Sequence, residues 1–249
     1  MHSTSWQSWM DFFNKQGYQT ISPAWPGDSD TVAACRANPQ PIANRGVTEI
    51  ADSYAKVIAG LSEPPVVIGH SFGGLLAQVI LGRGITAAGI AIDPAPIKGV
   101  WQLPFSALKA SLPVLGNPFN LKKAKSLTFN QFRYGFANAI PLDEAKELYD
   151  RWTIPAPCRP LFQAATASFA GHETKVDTAN TTRGPLLITA GEKDHIAPPI
   201  LGKASAKKYN TSVITDFKLF GGRGHSLIVD HGWQEVAEYA LTWLNGKGL

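Results

Sequence analysis

The sequence predicts an α/β architecture: a mostly parallel sheet flanked by helices and interrupted by a helical insertion. Three observations carry that reading. Positions 66–68, 88–92 and 186–190 are continuous apolar runs of strand length, which suits strands buried on both faces. Helical periodicities alternate with these runs, as strand–helix–strand units require. Between residues 96 and 184 the alternation stops, and the gap far exceeds the roughly 2–6 residues of an ordinary strand–helix connection.

The elements follow in order. Trp6, Trp9, Met10 and Phe13 recur at helical spacing, so a core-facing helix opens the chain. Thr4 with Gln7 forms a capping box for it, and Gly17 stops it. Residues 18–22 read as a strand. Residues 48–61 read as a helix with Ile50, Tyr54, Ile58 and Leu61 on one face. The 66–68 strand passes directly into a helix over 73–81, ended by Gly82 and Gly84. A strand over 88–92 precedes the interruption. Within the interruption, helices are expected over 105–112, 128–138, 142–152 and 160–169, with no convincing strand. Strands over 186–190 and 213–220 and a helix over 232–244 complete the chain. Residues 1–96 and 184–249 thus form the core, and 97–183 a helical lid over the sheet's C-terminal edge. The lid is rich in aromatics, and Trp101, Phe105 and Phe132 are expected to line a substrate pocket.

Composition narrows the class. The 249 residues are 44% hydrophobic and 17% charged, enough for one large core with an insertion. The net charge of +4 is mild, and the Lys122, Lys123 and Lys125 cluster is not interleaved with aromatics, so nucleic acid is not an expected partner. No apolar run is long enough to span a bilayer and no charged-then-apolar leader opens the chain; the expectation is a cytoplasmic protein with no membrane partner. Cys35 and Cys158 lack metal-ligand spacing, and no G-x-G-x-x-G follows a strand. Neither a metal nor a cofactor is expected.

The chemistry centres on Gly69-His70-Ser71-Phe72-Gly73, which follows one strand and opens one helix. A G-x-S-x-G match gains its meaning from that strand–turn–helix context. So tight a turn demands small neighbours, which Gly69 and Gly73 supply, and Gly74 lets the helix lie close to the sheet. Ser71 Oγ is then raised above the strand end at a helix N-terminus, where developing negative charge is favoured. A serine hydroxyl needs a base, and the base an orienting acid. His225 follows the last strand in a glycine-rich loop, the best position among six histidines. Asp194, just past the 186–190 strand, is the expected acid. Asp93, past the 88–92 strand, is the alternative, with anchoring of the turn before Pro94 as its other role; Glu192 is a lesser candidate.

With these motifs the chain resembles the α/β-hydrolase-fold serine hydrolases, in the lid-bearing branch of small esterases and cofactor-free haloperoxidase-like enzymes. The resemblance implies Ser71 as nucleophile, Asp194 as acid, His225 as base and the Phe72 backbone N–H as one oxyanion donor. It implies hydrolysis of a small-molecule carboxylic ester or thioester through an acyl-enzyme. Perhydrolysis (the haloperoxidase reaction) and C–C bond hydrolysis are related alternatives, and a catalytically impaired binding protein is a third reading. Serine at the nucleophile position argues against dehalogenases and epoxide hydrolases. The family's second oxyanion donor comes from a loop after an early central strand, and Ser5-Trp6 matches the start of the helix that follows that loop. The resemblance therefore places the early N-terminal strands and this donor upstream of Met1, a truncation expected to weaken the sheet and to slow catalysis by about 100- to 1000-fold.

Overall fold

The computed structural model describes residues 1–249 apart from Ser168 and Ala170. In chain order the elements are α1 (Gln7–Lys15), α2 (Val32–Ala37), α3 (Val47–Ala59), β1 (Val66–His70), α4 (Phe72–Gly82), β2 (Ala88–Ile92), α5 (Phe105–Leu115), β3 (Ala124–Lys125), α6 (Phe129–Gly135), α7 (Leu142–Trp152), β4 (Ala156–Pro157), α8 (Arg159–Thr166), β5 (Leu186–Gly191), α9 (Pro199–Ala206), β6 (Thr215–Phe220) and α10 (Trp233–Asn245).

Four strands pair in the order β1-β2-β5-β6, all parallel. Alternate residues of the central strands point to opposite faces, and each face meets helices. Ala91, Leu186 and Ile188 pack with Val47 and Ile50 of α3, Leu75 and Leu76 of α4 and Leu201 of α9. Ile90, Ile92 and Leu187 pack on the other face with Trp9 and Phe13 of α1 and Val236, Ala240 and Leu244 of α10. β2 and β5 are buried along their whole length, which is why their sequences read as unbroken apolar runs. The result is a helix–sheet–helix sandwich with every strand's C-terminal end on one edge.

The first helix differs from its expected start. Trp9 and Phe13 are buried as the periodicity requires, but a 3₁₀ turn over Ser3–Trp6 precedes α1, and its cap is His2, not Thr4. His2 Nδ1 accepts from the Thr4 amide, and the ring's Nε2–H donates to the Ser29 carbonyl at 2.9 Å. Burial of a histidine ring that satisfies both nitrogens outcompetes an exposed threonine cap.

Residues 18–22 form no strand, contrary to expectation. Among the described residues their backbone has no ladder partner, and β1 is the end of the sheet on that side. Strand propensity reports fit to a pleated surface and cannot supply the neighbour that a ladder needs. Tyr18 instead stacks edge-on against Phe13 and donates its hydroxyl to the Leu249 carbonyl.

The segment between β2 and β5 is helical as expected but does contain strands. β3 and β4 form an antiparallel pair of two residues each, too short to leave a pattern. The helix expected over 160–169 ends at Thr166, and Ser168 lies outside the described residues. α6 carries the capping box in this segment: Thr128 and Gln131 exchange side-chain–backbone hydrogen bonds. Phe132, Ala137, Ile140, Ala145 and Leu148 make a small core of the segment's own. α7 is fastened to the sandwich at both ends. Glu144 accepts from the His231 amide and ring at 2.6 and 2.8 Å, and Arg36 donates to the carbonyls of Tyr149, Asp150 and Thr153.

Candidate active site

Four polar residues stand at the C-terminal ends of the four parallel strands: Ser71 after β1, Asp93 after β2, Asp194 after β5 and His225 after β6. The sheet order places them side by side on one edge.

Ser71 occupies the β1–α4 turn at φ 58°, ψ −120°, a conformation that strains any residue with a Cβ. The turn is held from both sides: the Ser71 amide donates to the Ile92 carbonyl, and its carbonyl accepts from Gly74, Leu75 and Ala95. A Cβ on Gly69 would lie 2.0 Å from the Gly73 carbonyl oxygen, so this position must be glycine. Gly74 is packed against Pro94, which lets α4 approach the end of β2. Gly73 departs from expectation, since a Cβ there would meet nothing within 4 Å. The turn crowds Gly69 against the backbone of Gly73, and the contact constrains only the first of the pair. The Phe72 amide opens α4 with no acceptor among the described residues, as the first turn of a helix leaves it.

His225 is fully buried, and its Nδ1–H donates to Asp194 Oδ2 at 2.6 Å. That bond fixes the tautomer and leaves Nε2 as the basic nitrogen. Asp194 Oδ1 accepts from the amides of Ile196 and Ala197 at 2.6 and 2.9 Å. Burial pushes the Asp194 carboxyl up, but the His225 charge and the hydrogen bonds from His225, Asp93 and the backbone outweigh it and hold the group below its ordinary range. His225 Nε2 is buried with no hydrogen-bond partner, and Ser71 Oγ is not bonded to it.

Two aromatic rings wall in His225. Phe136, just after α6, meets it edge-on with centroids 4.7 Å apart, and His70 lies 4.5 Å away on another side. His70 Nε2–H donates to the His225 carbonyl at 2.9 Å, tying the His225 backbone to the Ser71 turn. Burial and the His225 charge hold the His70 imidazolium well below its ordinary range, so it stays neutral. The Phe136 contact and the His70 clamp left no sign in the sequence, because both depend on loops meeting across the sheet edge.

Asp93 lies in the same cluster. Its Oδ1 accepts from the Gly191 amide at 2.7 Å, and its Oδ2 is 3.8 Å from His225 Nδ1. His70, Asp93 and His225 also offer three ligand-type atoms within 4.8 Å of one another. Each imidazole has one nitrogen in a hydrogen bond, His70 to a carbonyl and His225 to a carboxylate.

The three aromatics expected to form a substrate pocket are dispersed. Phe132 is only 2% exposed and stacks on Phe136 inside the helical segment's own core, so it backs the ring that touches His225. Trp101 is 59% exposed and stands edge-on to Phe169, while Phe105, on a helix with no buried residue, is 79% exposed. Helical periodicity gives the face of a helix but not which face the neighbours cover. A cleft of about 640 Å³ lies elsewhere, between α3 and α8, lined by Glu49, Asp52, Lys56, Arg159 and Gln163 among others.

No curated protein matches the chain by sequence. Solved structures resemble it over nearly its whole length. The monoacylglycerol lipase of Paleococcus ferrophilus shares 20% identity at a TM-score of 0.70, covering 98% of this chain and 89% of that one. An extracellular alpha/beta-hydrolase from a Paenibacillus species shares 18% at 0.69, covering 97% and 93%. A thermophilic esterase from Thermogutta terrifontis shares 17% at 0.65, covering 99% and 86%. At such identities the likeness establishes the fold. The family model described as the alpha/beta hydrolase family matches residues 1–239, and the chain belongs to that family.

Proposed function

We propose that the protein is a serine hydrolase that cleaves a small carboxylic ester through an acyl-enzyme. The observation that carries this reading is the buried 2.6 Å bond between His225 Nδ1 and Asp194, on the strand-end edge that also bears the strained Ser71 turn. Ser71 is the nucleophile, His225 the base and Asp194 the orienting acid. His225 Nε2 takes the Ser71 proton as Oγ attacks the ester carbonyl, and the Phe72 amide donates to the oxyanion. The proton passes from Nε2 to the departing alkoxide. Water then gives a proton to Nε2 and attacks the acyl-enzyme carbonyl; as the Ser71 Oγ–acyl bond breaks, Nε2 returns the proton to Oγ and the acid is released.

The segment between β2 and β5 acts as the lid. It contributes Phe136 to the wall around His225, and α7 is the helix by which it is fastened. The structural relatives named as an esterase and a lipase support ester chemistry. Hydrolysis of short-chain p-nitrophenyl esters and labelling by a fluorophosphonate test the proposal. Both are expected in the wild type and lost in Ser71→Ala; a Ser71→Ala protein that keeps both rules it out.

A further inference from the structure

Asp93 is a fully buried carboxyl that the steps above do not use. It sits at φ 43°, a left-handed conformation that aspartate tolerates but does not prefer. Its Oδ1 is satisfied by the Gly191 amide, at the end of the strand that leads to Asp194. Its Oδ2 is buried with no donor facing it, 3.8 Å from His225 Nδ1. The single proton on that nitrogen already goes to Asp194 Oδ2.

Two carboxyls share this closed space. Asp194 receives three donors: the amides of Ile196 and Ala197 and the ring of His225. Asp93 receives one. Adjacent buried carboxylates do not both ionise, and the negative charge settles on the better-solvated of the two. A neutral carboxyl at Asp93 has an O–H to donate, and Asp194 is the acceptor beside it.

We infer that Asp93 is a second positioning acid for His225: it holds a proton that it shares with Asp194, and it orients the imidazole itself when Asp194 is removed. Loss of the Asp194 charge removes one of the two causes that keep Asp93 protonated, and the positive charge that develops on His225 as it takes the serine proton favours the ionised carboxyl against the burial that remains. Asp93 Oδ2 is then free to accept the Nδ1–H, and the tautomer with a basic Nε2 is kept. Burial and the Asp194 charge push the Asp93 carboxyl well above its ordinary range, opposed by the Gly191 amide and the charge of Arg223. The titratable groups facing it are Asp194, His225 and His70, with Arg223 more distant.

The takeover rests on the triad reading of the proposed function; the protonation of Asp93 does not. The test therefore has two readouts. Infrared difference spectra of the full chain at neutral pH, wild type minus Asp93→Asn, are expected to show one protonated carboxylic C=O stretch that shifts in deuterium oxide. Its absence overturns the proposal whether or not the protein has esterase activity. The second readout is kcat and KM on p-nitrophenyl acetate. Asp93→Asn, whose amide can still donate to Asp194, is expected to lower kcat about 3-fold with KM unchanged, and Asp93→Leu about 100-fold. Asp194→Asn is expected to lose about 100-fold, and the Asp93→Asn/Asp194→Asn double variant about 10⁴-fold, the loss typical of a triad without its acid. A double variant no worse than Asp194→Asn overturns the takeover. Failure of the triad reading would show separately, as fluorophosphonate labelling that survives Ser71→Ala.

Discussion

His70 donates its Nε2–H to the backbone carbonyl of His225 across 2.9 Å, so the residue before Ser71 holds the loop that carries His225. The fold keeps His70 neutral because it is buried beside a second imidazole. In the unfolded chain a histidine takes up a proton near pH 6.5. The folded pKa is depressed, so the unfolded state binds more protons below that pH and stability falls as pH falls. Each pH unit within this window costs about 1.4 kcal/mol. Thermal unfolding of the wild type is expected to weaken from pH 7 to pH 5. His70→Gln, whose amide can reach the same carbonyl but cannot titrate, is expected to show a shallower decline, and equal slopes would contradict the assignment.

The two flanking glycines of the turn are not equivalent. Gly69→Ala drives a methyl into the Gly73 carbonyl and is expected to cost about 3 kcal/mol. Gly73→Ala enters open space inside a helix and is expected to stabilise by about 0.5 kcal/mol. Urea denaturation of the two variants measures the contrast.

The serine itself stores strain. Ser71→Gly relieves a positive-φ conformation that costs of order 1–3 kcal/mol, partly offset by the greater freedom of glycine in the unfolded chain. The variant is expected to melt a few degrees higher than wild type, by about 1 kcal/mol, while losing all reaction with a fluorophosphonate. Calorimetry showing a lower melting temperature would argue that the turn is relaxed.

Asp93 burdens the fold at neutral pH. Its folded pKa is raised, so the folded state binds the extra proton, and stability is lost as pH rises from about 4, its unfolded value, toward the folded one. Asp93→Asn removes that dependence. Its melting temperature relative to wild type is expected to be more favourable at pH 7 than at pH 4, which differential scanning fluorimetry across that range reads directly.

The sheet was legible because buried parallel strands write unbroken apolar runs. The 88–92 and 186–190 runs coincide with β2 and β5 to within a residue. The strand-end positions of Ser71 and Asp194 were legible because each follows such a run, whereas His225 follows a strand broken by Asp216 and Lys218 and was marked by its glycine-rich loop. The missed features depend on partners. Residues 18–22 have strand chemistry and no neighbouring strand among the described residues. Phe132 and Phe105 belong to the same aromatic-rich stretch, yet one is core and the other faces solvent. The pairing of Asp93 with Asp194 joins residues 101 apart in sequence, and only the sheet order brings them together. The short helices α2 and α9 bury few large residues and carry little periodicity to detect.

β1, the strand that launches the Ser71 turn, is also the last strand on its side of the sheet. Its outer backbone groups have no ladder partner among the described residues, and its side chains are mostly half-buried valine and isoleucine. An unpaired edge of this kind is a template on which another extended chain can add. Any such addition would bear first on the strand that leads into the strained Ser71 turn.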